Sequence, residues 1–275
     1  MESYYEFQID CDESLKDLII AELAEEDFEG FVENEKGFSA FIPQSHFEQE
    51  IFDKILNHYS INPASIPQNT IEQQNWNAQW EASYTPITIG KNIIVKAPFH
   101  LIDEHFDYEL IIQPKNTFGT GHHETTQLML EMMLKSDFNE KNVFDYGCGT
   151  GVLGIFASKL GASSIYAIDI DEWSAENINE NCSLNSVRNV SFEKGDLGIV
   201  TDKKFDIILA NINKNILLES FSKLATLMNK NSLLLISGFY ESDLEDLKID
   251  AEKYQFIFEQ NLIKNEWCAA LFKHK

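Results

Sequence analysis

The sequence predicts an α/β protein with a mostly parallel sheet and helices on both of its faces, preceded by a small α+β unit. Three observations predict it. From residue 125 onward, short apolar runs alternate with amphipathic stretches of helical period, the pattern of parallel strands joined by crossover helices. Two apolar runs then follow the last helical stretch directly, at 256–263 and 267–272, as an antiparallel pair closing the sheet would. Before residue 72 the order is strand, helix, two strands, helix, with no such alternation.

The elements can be justified in turn. Residues 4–9 read as a strand. Leu15, Leu18, Ile19, Leu23 and Ala24 recur at helical spacing behind Ser14, the expected N-cap. Runs at 28–32 and 37–42 read as two strands meeting at Glu35-Lys36-Gly37, a hairpin signal. Phe47, Ile51, Ile55 and Leu56 mark a second amphipathic helix, and a further strand is expected within 65–71. This order matches a ferredoxin-like unit over residues 1–71. It carries no catalytic constellation, so docking a partner and plain structural support are its two readings. Residues 72–90 read as a linker and hinge, and 91–275 as the second domain. Strand-like runs at 93–96 and 108–113 open that domain. Helices are expected at 125–134, 152–160, 173–184, 216–228 and 244–253. The intervening strands are expected at 143–146, 164–170, 190–193, 205–211 and 232–238. In such sheets ligands sit beyond the carboxyl ends of the strands.

Composition narrows the function classes. With 44% hydrophobic residues the 275-residue chain can bury a full core. Its longest apolar runs, such as 207–210 and 233–236, are too short to span a bilayer. The first six residues lack the basic and apolar regions of a signal peptide. Cys11, Cys148, Cys182 and Cys268 form no C-x-x-C pair, which suits a reducing compartment and suggests no zinc site. A soluble cytoplasmic protein is expected, and nothing requires an oligomer, so a monomer is too. The net charge is -24, from 45 acidic and 21 basic side chains, and Arg188 is the only arginine. Such a surface repels a phosphate backbone and suits a basic protein or small cation, or serves solubility alone.

The strongest motif is Asp145-Tyr146-Gly147-Cys148-Gly149-Thr150-Gly151, between an apolar strand and a helix. Its glycines permit a tight turn and let a ligand approach the backbone. The next strand ends in Asp169, followed by Asp171; a carboxylate there can accept both ribose hydroxyls. Gly149, Gly151 and Gly154 also spell the dinucleotide pattern G-x-G-x-x-G. S-adenosylmethionine is favoured because Asp145 stands where it could receive an ammonium, because the Asp-x-Gly-x-Gly-x-Gly series is complete, and because of the closing antiparallel pair. Gly195-Asp196 ends the third strand, where an acid near the adenine amine is expected, a surface turn being the plain alternative. The fourth strand ends in Asn211, expected to face the reactive methyl.

From Asn75-Trp76-Asn77 with Trp80, through Phe118-Gly119-Thr120-Gly121-His122-His123-Glu124-Thr125-Thr126, to Leu209-Ala210-Asn211-Ile212 and Glu266-Trp267, the chain resembles the ribosomal protein L11 methyltransferases (PrmA). The resemblance implies a class I methyltransferase fold, a seven-stranded Rossmann-like sheet behind the ferredoxin-like unit. It also implies methylation of lysine side chains and the N-terminal amine of that ribosomal protein, which the N-terminal unit would recognise. Thr126, Gly147, Asp169 and Asn211 fall where the family binds S-adenosylmethionine, and Phe118 where a loop covers the methyl. Asp145, Gly149, Gly151 and Asp196 complete the expected cofactor site, with Asn211 and Phe118 as the catalytic pair and Trp267 as a second candidate wall for the amine. The chain departs from the family at His122, before His123, and at Lys115 after Pro114. Adjacent histidine side chains diverge, so no metal is expected. Another protein or a small amine as substrate, and a non-catalytic cofactor-binding docking module, are the competing readings.

Overall fold

Residues 3–34, 36–71, 81, 84–115, 119 and 121–275 are described by the structure, a computed structural model. The chain divides into two units between Ser83 and Tyr84.

The first unit contains β1 (Tyr4–Asp10), α1 (Glu13–Ala24), β2 (Gly30–Asn34), β3 (Gly37–Pro43), α2 (Gln49–His58) and β4 (Gln68–Ile71). Its sheet runs β2-β3-β1-β4 with every pairing antiparallel, the interleaved order of a ferredoxin-like unit. Phe7 and Ile9 of β1 alternate onto the covered face. There they meet Ile19 and Leu23 of α1 and Phe52, Ile55 and Leu56 of α2. Two local expectations are corrected. Ser14 lies inside α1, and Asp12 holds the N-cap position without a side-chain cap bond. Phe47 precedes α2 instead of belonging to it, yet its ring stacks 4.9 Å from Phe7. An apolar residue just before a helix can serve the core as well as one inside it.

The second unit opens with a three-stranded sheet of β5 (Ile87–Ile89), β6 (Ile93–Lys96) and β7 (Tyr108–Ile111). Then follow α3 (Glu124–Leu134), β8 (Asn142–Tyr146), α4 (Val152–Lys159), β9 (Ser164–Asp169), α5 (Glu172–Leu184), β10 (Val190–Lys194) and β11 (Phe205–Asn211). The unit ends with α6 (Lys214–Thr226), β12 (Met228–Tyr240), α7 (Leu244–Glu252), β13 (Phe256–Lys264) and β14 (Trp267–His274). The seven-stranded order is β10-β9-β8-β11-β12-β14-β13. The pairings are parallel except those of β14, which is antiparallel to both neighbours.

Buried strands of this kind are apolar on both faces. Along β11, Ile207 and Leu209 join the core shared with α3 and α4, while Ile208 and Ala210 join the core shared with α6 and α7. The two-residue period is thus present but hidden in a continuous apolar run. The helix expected over 216–228 starts at Lys214 and stops at Thr226. Met228 pairs with Phe205 and belongs to β12; Leu227, the helix C-cap, and Met228 are buried in the core shared with α6 and α7. Ile87 and Ile89, inside the stretch 72–90, pack on the core of the second unit. No described helix is long and apolar enough to cross a membrane.

Candidate active site

Strand order reverses between β8 and β11, which opens a crevice at their carboxyl ends. The chain leaves β8 through Gly147, Gly149 and Gly151, all with left-handed φ of 72°, 53° and 78°. A Cβ on Gly147 would lie 2.5 Å from Ile212 Cγ2, so no side chain fits between the loop and the β11 tip. The loop is fastened to β9: the Gly147 and Cys148 amides both donate to the Ile168 carbonyl, at 2.9 and 3.1 Å.

A cavity of about 440 Å³ occupies this crevice, within the size range of small-molecule sites. Gly147 and Gly149 line it from the glycine loop, Asp169 from β9, Asp196 from the end of β10, Asn211 from β11 and Thr126 from the first turn of α3. These six were expected together from sequence. Gly151 and Asp145 do not line it, and Phe118 lies outside the described residues, as do Asn75, Trp76, Asn77, Trp80 and Thr120. Tyr146, Ile170, Ile212, Asn213 and Ile216 also line the cavity, and the sequence assigned none of them a role. The available signal is positional: Tyr146 ends β8, Ile170 follows β9, Ile212 and Asn213 follow β11, and Ile216 lies in the first turn of α6.

Asp145 was expected to face a ligand ammonium. Instead it is buried, and its Oδ2 accepts from the Gly154 amide at 2.9 Å, bracing the first turn of α4. Burial pushes its carboxyl up to about 7. The Gly154 bond opposes that shift and the Asp169 charge adds to it. Asp169 accepts from the Gly149 amide at 2.8 Å on Oδ2 and from the Asp171 amide at 3.0 Å on Oδ1. Each oxygen keeps a further lone pair, so the carboxylate is oriented yet still able to receive two hydroxyls. The Asp196 Oδ1 caps the turn Leu197–Ile199 through the Gly198 amide at 2.8 Å, and the residue also lines the cavity.

Asn211 ends β11. Its Nδ2 lies 3.4 Å from Thr126 Oγ1, a long contact, and its Oδ1 is buried without a partner among the described residues. Buried acceptors normally have donors, so this carbonyl has acceptor capacity left for a bound molecule. His123 N-caps α3, its Nδ1 accepting from the Thr125 amide at 3.3 Å, and its ring packs edge-on to Trp267 at 4.7 Å. Trp267 packs in turn against Tyr240, ring centroids 4.3 Å apart and tilted by 31°, and does not line this cavity. His122 points elsewhere, to the Tyr84 hydroxyl at 3.2 Å and the Thr85 carbonyl at 3.1 Å. Among the described residues no three His, Cys, Asp or Glu side chains are grouped to hold a metal.

A cradle that a Cβ would fill, an oriented carboxylate with spare acceptor capacity and an orphaned amide oxygen fit a nucleoside cofactor with a polar tail. Sheet order and site together define a class I S-adenosylmethionine-dependent methyltransferase. The family described as ribosomal protein L11 methyltransferase (PrmA) matches residues 8–275, and the chain belongs to that family. Among its curated relatives is a Ribosomal protein L11 methyltransferase of Porphyromonas gingivalis, 42% identical over 265 residues, covering 94% of this chain and 91% of that one. Another, from Bacteroides fragilis, is 38% identical over 276 residues, covering 98% and 99%. A solved ribosomal protein L11 methylase from Lactobacillus delbrueckii subsp. bulgaricus superposes with a TM-score of 0.65 at 27% identity, covering 70% of this chain and all of that one.

Proposed function

We propose that this enzyme methylates amino groups of ribosomal protein L11, both lysine side chains and the N-terminal amine. The substrate is the one named for its relatives. The unpartnered Asn211 Oδ1 at the crevice is the observation that carries the chemistry.

When bound, S-adenosylmethionine supplies an electrophilic methyl on a sulfonium. Asp169 would hold its ribose, Asp196 its adenine amine, and Thr126 with the glycine loop its amino-acid end. What remains for the protein is to present an uncharged amine in line. A free lysine with a pKa of ~10.4 costs roughly 4–5 kcal/mol to deprotonate at pH 7, and an α-amine near ~8 only about 1 kcal/mol. Ile212, Ile216 and Tyr146 give the cavity an apolar wall, and desolvation there lowers an amine pKa. Phe118 is proposed to extend that wall. The Asn211 carbonyl accepts an N–H of the neutral amine, which turns the nitrogen lone pair toward the methyl.

The N-terminal unit is proposed to bind the protein substrate. Residues 1–83 hold eighteen of the 45 acidic side chains and only three of the 21 basic ones, which suits a basic partner and disfavours nucleic acid. Action as a monomer in the cytoplasm completes the reading.

Asn211→Ala tests it. Methyl transfer to L11 is expected to fall about 100-fold, the scale of losing one oriented polar group at a reacting centre. Affinity for S-adenosylhomocysteine by calorimetry should stay within about threefold. Near-normal turnover with normal affinity would reject the role. An unchanged mass of L11 from a strain lacking this gene would reject the substrate.

A further inference from the structure

Thr150 of the glycine motif, like Asp145, lies outside both the cavity lining and the apolar core. Thr150 is fully buried, and its Oγ1 donates to the Gly119 carbonyl at 2.7 Å. Gly119 lines the cavity, far along the chain from the motif. Its φ is +102°, and a Cβ there would lie 2.7 Å from the same Thr150 Oγ1. The two residues therefore meet as glycine and hydroxyl because nothing larger fits.

The Thr150 backbone carries a second tie. Its carbonyl accepts from Asn181 Nδ2 at 2.9 Å, and Asn181 Oδ1 accepts from the Gln113 amide at 2.9 Å. Asn181 is 1% exposed, so neither bond competes with water. One turn along α5, Asn185 pairs with both backbone groups of Ile111, at 3.0 Å to its amide and 2.6 Å to its carbonyl. Two asparagines four residues apart thus stand in for a missing strand beside 111–113. Thr150 joins that anchored end to Gly119.

From this geometry we infer that Thr150 is a positioning residue for methyl transfer. Through its hydroxyl it holds the Gly119 carbonyl wall of the cavity against the glycine loop, and Asn181 holds Thr150. The wall is thereby set by the same loop that receives the cofactor, so cofactor site and wall move as one piece.

The test compares Thr150→Val, which removes only the hydroxyl hydrogen bond and sets a methyl against the carbonyl, with Thr150→Ser, which keeps it. With Val, affinity for S-adenosylhomocysteine is expected to fall about tenfold, the upper end for a single buried hydrogen bond. Amides of 111–113, 119 and 121–123 should exchange faster while those of β8 and β11 do not. Ser should restore both to within about threefold. Affinity in Val within about threefold of the native chain, or Ser as impaired as Val, overturns the inference. If Thr150→Val melts the fold, Gly119→Ala decides. Its loss of affinity should shrink at least threefold in a Thr150→Ala background, where the colliding hydroxyl is gone; an unchanged loss overturns the assignment. The inference rests on the cofactor reading of the cavity and not on the protein substrate. Native binding without methylation of L11 would therefore remove the substrate and leave Thr150 to be judged by these measurements.

Discussion

In the N-terminal unit the interior is closed by interlocking rings. Phe52 lies 4.4 Å from Phe7, 5.6 Å from Phe47 and 5.9 Å from Phe28, and the buried Lys16 is matched by Glu13 and Glu33 at 2.7 and 3.0 Å. The catalytic unit treats its polar groups differently. Among the described residues, the two buried side-chain atoms left without a partner are Asp145 Oδ1 and Asn211 Oδ1. They stand on adjacent strands, β8 and β11, where Asp145 is paired with Leu209 two residues before Asn211. An unmatched buried acceptor costs about 1–3 kcal/mol. Among the described residues the first unit leaves no buried side-chain acceptor unmatched, whereas the second leaves two where the sheet order reverses, and of these Asn211 lines the cavity while Asp145 does not. The difference teaches that an unmatched acceptor points to function only where it also meets a cavity.

That contrast can be broken by experiment. The largest effect is expected from Phe52→Ala, which removes the ring at the centre of the aromatic cluster and should cost about 3–5 kcal/mol in denaturant unfolding of the N-terminal unit. Cofactor affinity should change less than twofold, and a parallel loss of that affinity would show that the two interiors are not independent. Next comes Gly147→Ala. The added methyl meets Ile212 at 2.5 Å and the φ of 72° strains any L side chain, so S-adenosylhomocysteine affinity should drop about 50-fold, roughly 2–3 kcal/mol. Calorimetry on a variant with an unchanged melting curve would check it.

Asp145→Asn sharpens the contrast through pH. A carboxyl held up at about 7 in the fold but near ~3.9 in the unfolded chain binds its proton more tightly when folded. Its contribution is full below about pH 4 and is lost as pH rises towards 7. Unfolding free energy of the native chain, measured relative to Asp145→Asn, should therefore fall between those limits and then level off. A flat difference would mean that the carboxyl is ionised and has found a cation. The smallest effect concerns the acidic N-terminal unit: raising salt from about 50 to about 300 mM should raise KM for L11 a few fold and leave kcat unchanged, because exposed charges are screened.

Much of this was legible in the sequence. The ferredoxin-like order, the strand alternation and five of the cavity residues followed from period, turn residues, strand ends and the glycine series, and the sixth, Thr126, from the family resemblance. Three kinds of feature did not. Helix ends blurred where one buried run served two elements, as at Leu227 and Met228. Asp145 was assigned to the ligand because its type suits an ammonium, whereas its position two residues before Gly147 aims it at the Gly154 amide. Ile170, Ile212 and Ile216 look like any core isoleucine in sequence, and only their place beyond the strand ends makes them a wall.

Local rules acting along the chain were enough to set most of the elements and their order, and the motifs carried the resemblance to the family. Hydrophobic period selects helix or strand, and glycine alone tolerates the turns after β8. Which side chains converge, and which of them stay unpaired, depended on contacts between residues far apart in the chain. Thr126 against Asn211, Thr150 against Gly119 and Asn181 against Gln113 exist because folding brings separate tips together. No spacing along the chain encodes whether a buried oxygen will find a donor there.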